Sequence, residues 1–120
     1  MHRYQSLFAW QQAHKMAVLA LKTCDSAYHP RSRALFEQLR RAAISVEANI
    51  VEGYALGTTL QFKRHLRIAM GSAAEAECLT RLAAELQYLP ADVTAEMETL
   101  LERAQAALYG LIRKPMSTGS

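Results

Sequence analysis

Apolar residues along this chain return every three or four positions, and strict alternation never persists for more than a few residues. That period marks one face of an α-helix rather than of a strand. Trp10, Ala13, Ala17, Leu21, Cys24 and Tyr28 form the first stripe and predict a helix from about Leu7 to Tyr28. His29-Pro30 ends it, because proline disfavours helical geometry in the residue before it. Ser32 is a good N-cap for a second helix, whose stripe is Leu35, Leu39, Ala43, Val46 and Ile50. Gly53 and Gly57 mark its end, since glycine accepts the left-handed conformation that closes helices. Thr58-x-x-Gln61 has the form of a capping box. It opens a third helix from Leu60 to Tyr88, roughly 42 Å long at 1.5 Å per residue, which Leu89-Pro90 breaks. A fourth helix runs from near Asp92 to Lys114, with Val93, Met97, Leu100, Ala104, Leu108 and Leu111 inward and Pro115 as its stop. The expected fold is all-α: an up-down-up-down antiparallel four-helix bundle over residues 5–114, with a disordered polar tail at 115–120.

The third helix carries more apolar surface than one core uses. Phe62, Leu66, Ala69, Ala73, Ala76, Thr80 and Ala83 share one stripe. Ile68, Leu79, Leu82 and Leu86 fall on roughly the opposite stripe, with Gly71, Ser72 and Glu75 among them. A helix apolar on two faces is usually sandwiched, so Ile68, Leu79, Leu82 and Leu86 are expected at an interface between copies of the chain.

Composition agrees with helices: proline and glycine are few, while alanine, leucine, glutamate, arginine and glutamine dominate. The longest apolar run, Met16 to Leu21, is far short of the ~20 residues that cross a bilayer, so no membrane is expected. No apolar leader follows Met1, and the two cysteines, Cys24 and Cys78, are far apart. The expected location is the cytoplasm, with both thiols reduced. Charge changes the picture more. Residues 1–67 hold ten Lys/Arg against four Asp/Glu, or +6, whereas residues 68–120 hold four against seven, or −3. A basic half points to an anionic partner and to attraction between neighbouring copies.

Candidate chemistry is sparse. His2, His14, His29 and His65 lack the helical spacing to one another, and the preceding glutamates, that di-iron or zinc helices use. No nucleophile elbow or phosphate loop is present, so neither catalytic residues, nor a metal, nor a cofactor is expected. Arg41, Ser45, Asn49 and Glu52 share one flank of the second helix. They predict a structural polar network, with Arg41 reaching Glu52 or Glu75, since a buried polar group must be hydrogen-bonded. Lys63, Arg64 and Arg67 cluster on the outward side of the third helix, and Arg33 and Arg40 share an outward flank of the second. Grouped cations of this kind are the footprint of phosphate binding. No aromatic residue interleaves the cluster, so the sequence offers little for base stacking.

Leu7-Phe8-Ala9-Trp10-Gln11, Arg40-Arg41-Ala42-Ala43-Ile44-Ser45 and Asn49-Ile50-Val51-Glu52-Gly53-Tyr54 carry a resemblance, as do Phe62, Leu66, Ala69, Gly71-Ser72 and Glu75. In order and spacing, over about residues 5–112, the chain resembles the four-helix-bundle family named after the 23S ribosomal RNA intervening-sequence protein. Glu47 departs from a proline frequent in that family. The resemblance implies a bacterial, cytosolic homopentamer without an established activity. The related accessory proteins of diversity-generating retroelements form basic pentameric barrels that bind nucleic acid and a reverse transcriptase. The expectation is therefore a non-enzymatic homo-oligomer binding RNA or DNA backbone through Lys63, Arg64, Arg67, Arg40 and Arg33. The alternatives are an adaptor for a protein such as a reverse transcriptase, or an intervening-sequence product with no host task.

Overall fold

The structure, a computed structural model, describes residues 3–115. Four helices form: α1 (Phe8–Ser26), α2 (Arg33–Ala55), α3 (Thr59–Glu85) and α4 (Ala91–Arg113). Single 3₁₀ turns, Tyr4–Ser6 and Pro30–Ser32, precede α1 and α2. There is no strand among the described residues. The helices pack in a ring, α1 on α2, α2 on α3, α3 on α4 and α4 on α1. Consecutive antiparallel helices account for the elongated shape, 53 × 21 × 20 Å. Residues 116–120 of the expected tail lie outside the described residues.

The chain's punctuation explains the boundaries. Thr58 caps α3 as expected, its Oγ1 accepting from the Gln61 amide at 3.2 Å. Ser32 does not cap α2; it is buried in the 3₁₀ turn and donates its hydroxyl to the His29 carbonyl at 2.9 Å. Gly53 lies inside α2 rather than ending it, and Gly57, at φ 79°, takes the left-handed position. The third helix stops at Glu85, short of Tyr88. Gln87 turns left-handed at φ 60°, and the Gln87 and Tyr88 amides bond back to the Ala84 and Ala83 carbonyls. This double return satisfies carbonyls that a helix end leaves open.

The core takes the first of the two α3 stripes: Leu66, Ala69, Ala73, Ala76, Thr80 and Ala83 are buried, with Phe62 at its edge. The α1 contribution is rotated from the expected stripe. Ala9, Ala13, Met16, Ala17, Ala20 and Cys24 are buried, Trp10 and Leu21 sit at the margin, and Tyr28 is exposed beyond the helix. Small alanines let the helices approach closely, and the larger buried side chains Phe36, Leu39, Ile50, Leu101 and Leu108 from α2 and α4 fill the space between.

Candidate nucleic-acid interface

A polar seam joins α2 to α3. Ser45 Oγ lies 2.7 Å from Ser72 Oγ. Asn49 Nδ2 donates to the Ser45 carbonyl at 2.9 Å and to its hydroxyl at 3.1 Å. With its amide hydrogens so directed, Asn49 Oδ1 accepts from His65 Nδ1 at 3.1 Å, which assigns the proton to that nitrogen. Glu52 Oε2 lies 4.0 Å from the same nitrogen. Next to this group the two backbones come close: a Cβ added at Gly53 would stand 2.7 Å from His65 Cβ. Ser45, Asn49 and Glu52 are thus brought together through His65 and Ser72, two residues that the pattern along α2 alone does not bring into the network.

Arg41 and Glu75 are outside it. Arg41 and Glu52 are eleven residues apart on one helix, about 16 Å along its axis, which is too far for a direct pair. Arg41 instead lies 3.8 Å from Glu37, one turn back. Glu75 accepts from Gln38 Nε2 at 2.6 Å.

The five expected phosphate-binding residues divide. Arg40 reaches across to Asp25 of α1 at 2.6 Å. Arg33 pairs with Glu37 at 3.1 Å, and that hydrogen bond raises the arginine's pKa above its ordinary value. Both sit toward the α2 N-terminus, the end of the bundle away from the start of α3. They do not share a surface with the α3 cluster. Lys63, Arg64 and Arg67 occupy the first turns of α3. Arg64 and Arg67 are exposed and have no ion pair or hydrogen bond among the described residues. They line a shallow groove with Leu60, Gln61 and Ile68. Lys63 Nζ donates to the Lys114 carbonyl at the end of α4. That contact brings Arg113 and Lys114 to the same end, a convergence that a helix-by-helix reading of the sequence misses. The carboxylates Glu85, Asp92, Glu96 and Glu98 belong to the last turn of α3 and the first turns of α4, at the opposite end. The imbalance between sequence halves becomes, in the fold, a difference between the two ends of a rod.

Of the expected interface stripe, Ile68, Leu82 and Leu86 are exposed at 46%, 43% and 47%. Leu79 is half-buried against the core, because it leans toward α2.

Comparison with known proteins matches residues 5–110 to the family model described as 23S rRNA-intervening sequence protein. The chain belongs to this family. Among solved structures, this intervening-sequence family member is similar to a crystal structure of a protein of unknown function from the S23 ribosomal protein family of Bacteroides thetaiotaomicron. The TM-score is 0.76 at 19% identity, covering 88% of this chain and 99% of that one. The likeness is one of fold. No curated protein matches the chain. The motif Asn49-Ile50-Val51-Glu52-Gly53 that carries the family resemblance coincides with the α2 side of the polar seam. Glu47 leaves α2 continuous and contacts His14 of α1 at 3.0 Å. Among the described residues no helix is long and apolar enough to cross a membrane.

Proposed function

We propose that the protein is a non-catalytic, self-associating, cytoplasmic helical bundle that binds the phosphate backbone of nucleic acid through one basic end. The observation that carries this reading is the convergence of Lys63, Arg64 and Arg67 with Arg113 and Lys114, its three arginines free of carboxylates among the described residues. Guanidinium groups without internal partners are available for bidentate contacts to phosphate oxygens. Arg33 and Arg40 have no part in the surface, since each already holds a carboxylate. Self-association is supported by the exposed Ile68, Leu82 and Leu86, and the pentamer implied by the family resemblance would present the basic end several times over, multiplying weak contacts.

The test is salt dependence. Binding to short RNA and DNA is measured at several salt concentrations for wild type and for the combined Lys63→Ala, Arg64→Ala, Arg67→Ala variant. Removing one phosphate-binding cation flattens the slope of log affinity against log salt by about 0.9 on duplex DNA or about 0.7 on single strands. The variant is expected to weaken binding equally for unrelated sequences, with helicity unchanged. Absence of wild-type binding at about 50 mM salt, where backbone contacts are strong, refutes the reading.

One observation favours a protein partner, such as a reverse transcriptase, instead. Leu60, at 65%, and Ile68, at 46%, are exposed on either side of Arg64 and Arg67, and phosphate contacts make no use of them. This adaptor reading takes over if the salt experiment fails.

A further inference from the structure

The basic end also holds an aromatic ring. Tyr109 of α4 is 55% exposed, and the Arg113 guanidinium lies over its ring, 5.3 Å from the centroid. Its position relative to the α3 cations follows from contacts between the two helices. Glu98 and Gln105 reach across to Arg81 and Glu77 of α3. Tyr109 follows Gln105 by four residues and Glu98 by eleven, so at 100° per residue all three lie within about 40° on the α3-facing flank of α4. On α3 the partners Glu77 and Arg81 mark the flank facing α4. Lys63 falls at the same angle as Arg81, and Arg67 lies within about 40° of it. The cross-helix pairs also set the register: residues whose numbers add to about 180 stand level. Arg113 is then level with Arg67, and Tyr109 about one turn further along, level with Gly71. Gly71 and Ala74, the neighbouring outer residues of α3, are small and exposed, and a Cβ at Gly71 would meet nothing within 4 Å.

We infer that the groove between α3 and α4 at this end is a stacking platform for an unpaired base, and that the basic end takes single-stranded nucleic acid in preference to duplex. Arg113 occupies one face of the tyrosine ring, and enough of the ring remains in solvent to receive a base. Lys63 and Arg67 flank it within reach of the adjoining phosphates. An aromatic ring set in a cationic groove is the general solution for single strands, because every base has a π-face and a duplex keeps its bases stacked. A guanidinium over the ring adds to it, since arginine stacks on aromatic and base planes alike. The carboxylates of this seam, Glu77, Glu98 and Glu102, lie toward the other end; Gln105 and Arg81 hold the first two, and Glu102 stands about two turns from Tyr109 along α4. This inference rests on the basic-end reading and adds the class of nucleic acid to it.

The experiment is binding of a labelled single strand of about 12 nucleotides, RNA and DNA, and of the matching duplex, to the full chain by fluorescence anisotropy. Wild type is expected to prefer the single strand. Tyr109→Ala should lose roughly 5- to 100-fold on the single strand, the range for one base stack, with little change on duplex. Tyr109→Phe should bind as wild type, and Tyr109→Leu, which keeps apolar bulk without a ring, should bind as Tyr109→Ala. Circular dichroism confirms that the variants fold, as expected for an exposed position. Equal wild-type affinity for both strands, or undiminished single-strand binding by Tyr109→Ala and Tyr109→Leu, removes the platform and leaves the basic-end reading standing. No wild-type binding to either removes both.

Discussion

Replacing Gly53 by alanine tests the α2–α3 seam, because two effects of known size act in opposite directions there. Glycine inside a helix is worse than alanine by up to about 1 kcal/mol, so an unobstructed substitution stabilises. Gly71 and Gly110 are such positions, with nothing within 4 Å of an added Cβ. At Gly53 the new methyl would stand 2.7 Å from His65 Cβ and 3.3 Å from the Phe62 carbonyl oxygen. Carbon atoms pack at about 3.5–4.0 Å, and His65 Cβ is fixed to the α3 backbone, so the helices themselves must part. Such overpacking costs about 1–3 kcal/mol. Parting also stretches the Asn49–His65 and Ser45–Ser72 hydrogen bonds, each worth about 1 kcal/mol. Net of the helix gain, Gly53→Ala should destabilise by about 1–3 kcal/mol, while Gly71→Ala and Gly110→Ala should be neutral or stabilising. For a domain of this size 1 kcal/mol moves Tm by about 3–5 °C. Thermal melts followed by far-ultraviolet circular dichroism, at one fixed protomer concentration, resolve this. A Gly53→Ala protein melting at or above wild type would refute the close approach and the seam built on it.

Two further outcomes follow from the fold. Leu82 is exposed on the outer side of α3, so Leu82→Glu should lower the mass measured by light scattering while helicity is kept; a loss of helicity, or an unchanged multimeric mass, contradicts its placement at an interface between copies. Of the two thiols, exposed Cys78 should be alkylated in the native protein and buried Cys24 only after denaturation. Burial pushes the Cys24 thiol up to about 11, with Arg40 opposing the rise and Asp25 reinforcing it. A pKa raised by folding contributes stability below about pH 9 that is lost as pH climbs toward about 11. Cys24→Ala should therefore soften the alkaline loss of stability in urea melts, and an unchanged slope contradicts the assignment.

The helical period makes the four-helix fold readable, since burial of an amphipathic face is a local property of each helix. What escapes is whatever depends on a neighbour. The outward direction of Arg33 and Arg40 is legible, but not that Asp25 and Glu37 hold them. Ser45, Asn49 and Glu52 are legible as one flank, but their link through His65 and Ser72 belongs to another helix. Trp10 and Leu21 read as inward because bulk suggests burial, whereas the α1 core stripe is made largely of alanines. The two stripes of α3 are visible in the sequence, but only the packing assigns the Leu66–Ala73–Thr80 side to the core.

The proposed function gives the outer surface of α3 two roles, and its geometry lets both coexist. Ile68 and Leu86 lie on the side nearer α2, the side of Ser72 and His65, whose contacts to Ser45 and Asn49 fix that direction. Lys63 and Arg67 lie on the side nearer α4, where Arg81 and Glu77 contact Glu98 and Gln105. On a helical projection the two groups are separated by about 100–140°. A second copy packed against the α2 side would cover Ile68 and Leu86 and leave Lys63, Arg67 and Tyr109 in solvent. Arg64 and Leu82 stand between the groups at the same angle, about five turns apart, which places the arginine at the basic end and the leucine toward the acidic one. Under the proposed function, self-association through apolar residues along one flank and phosphate contacts at one end of the other would be separable roles of a single helix. Among the described residues, α3 alone of the four helices carries both unpaired arginines and exposed leucines along the same outer surface, the residues on which the two proposed roles rest.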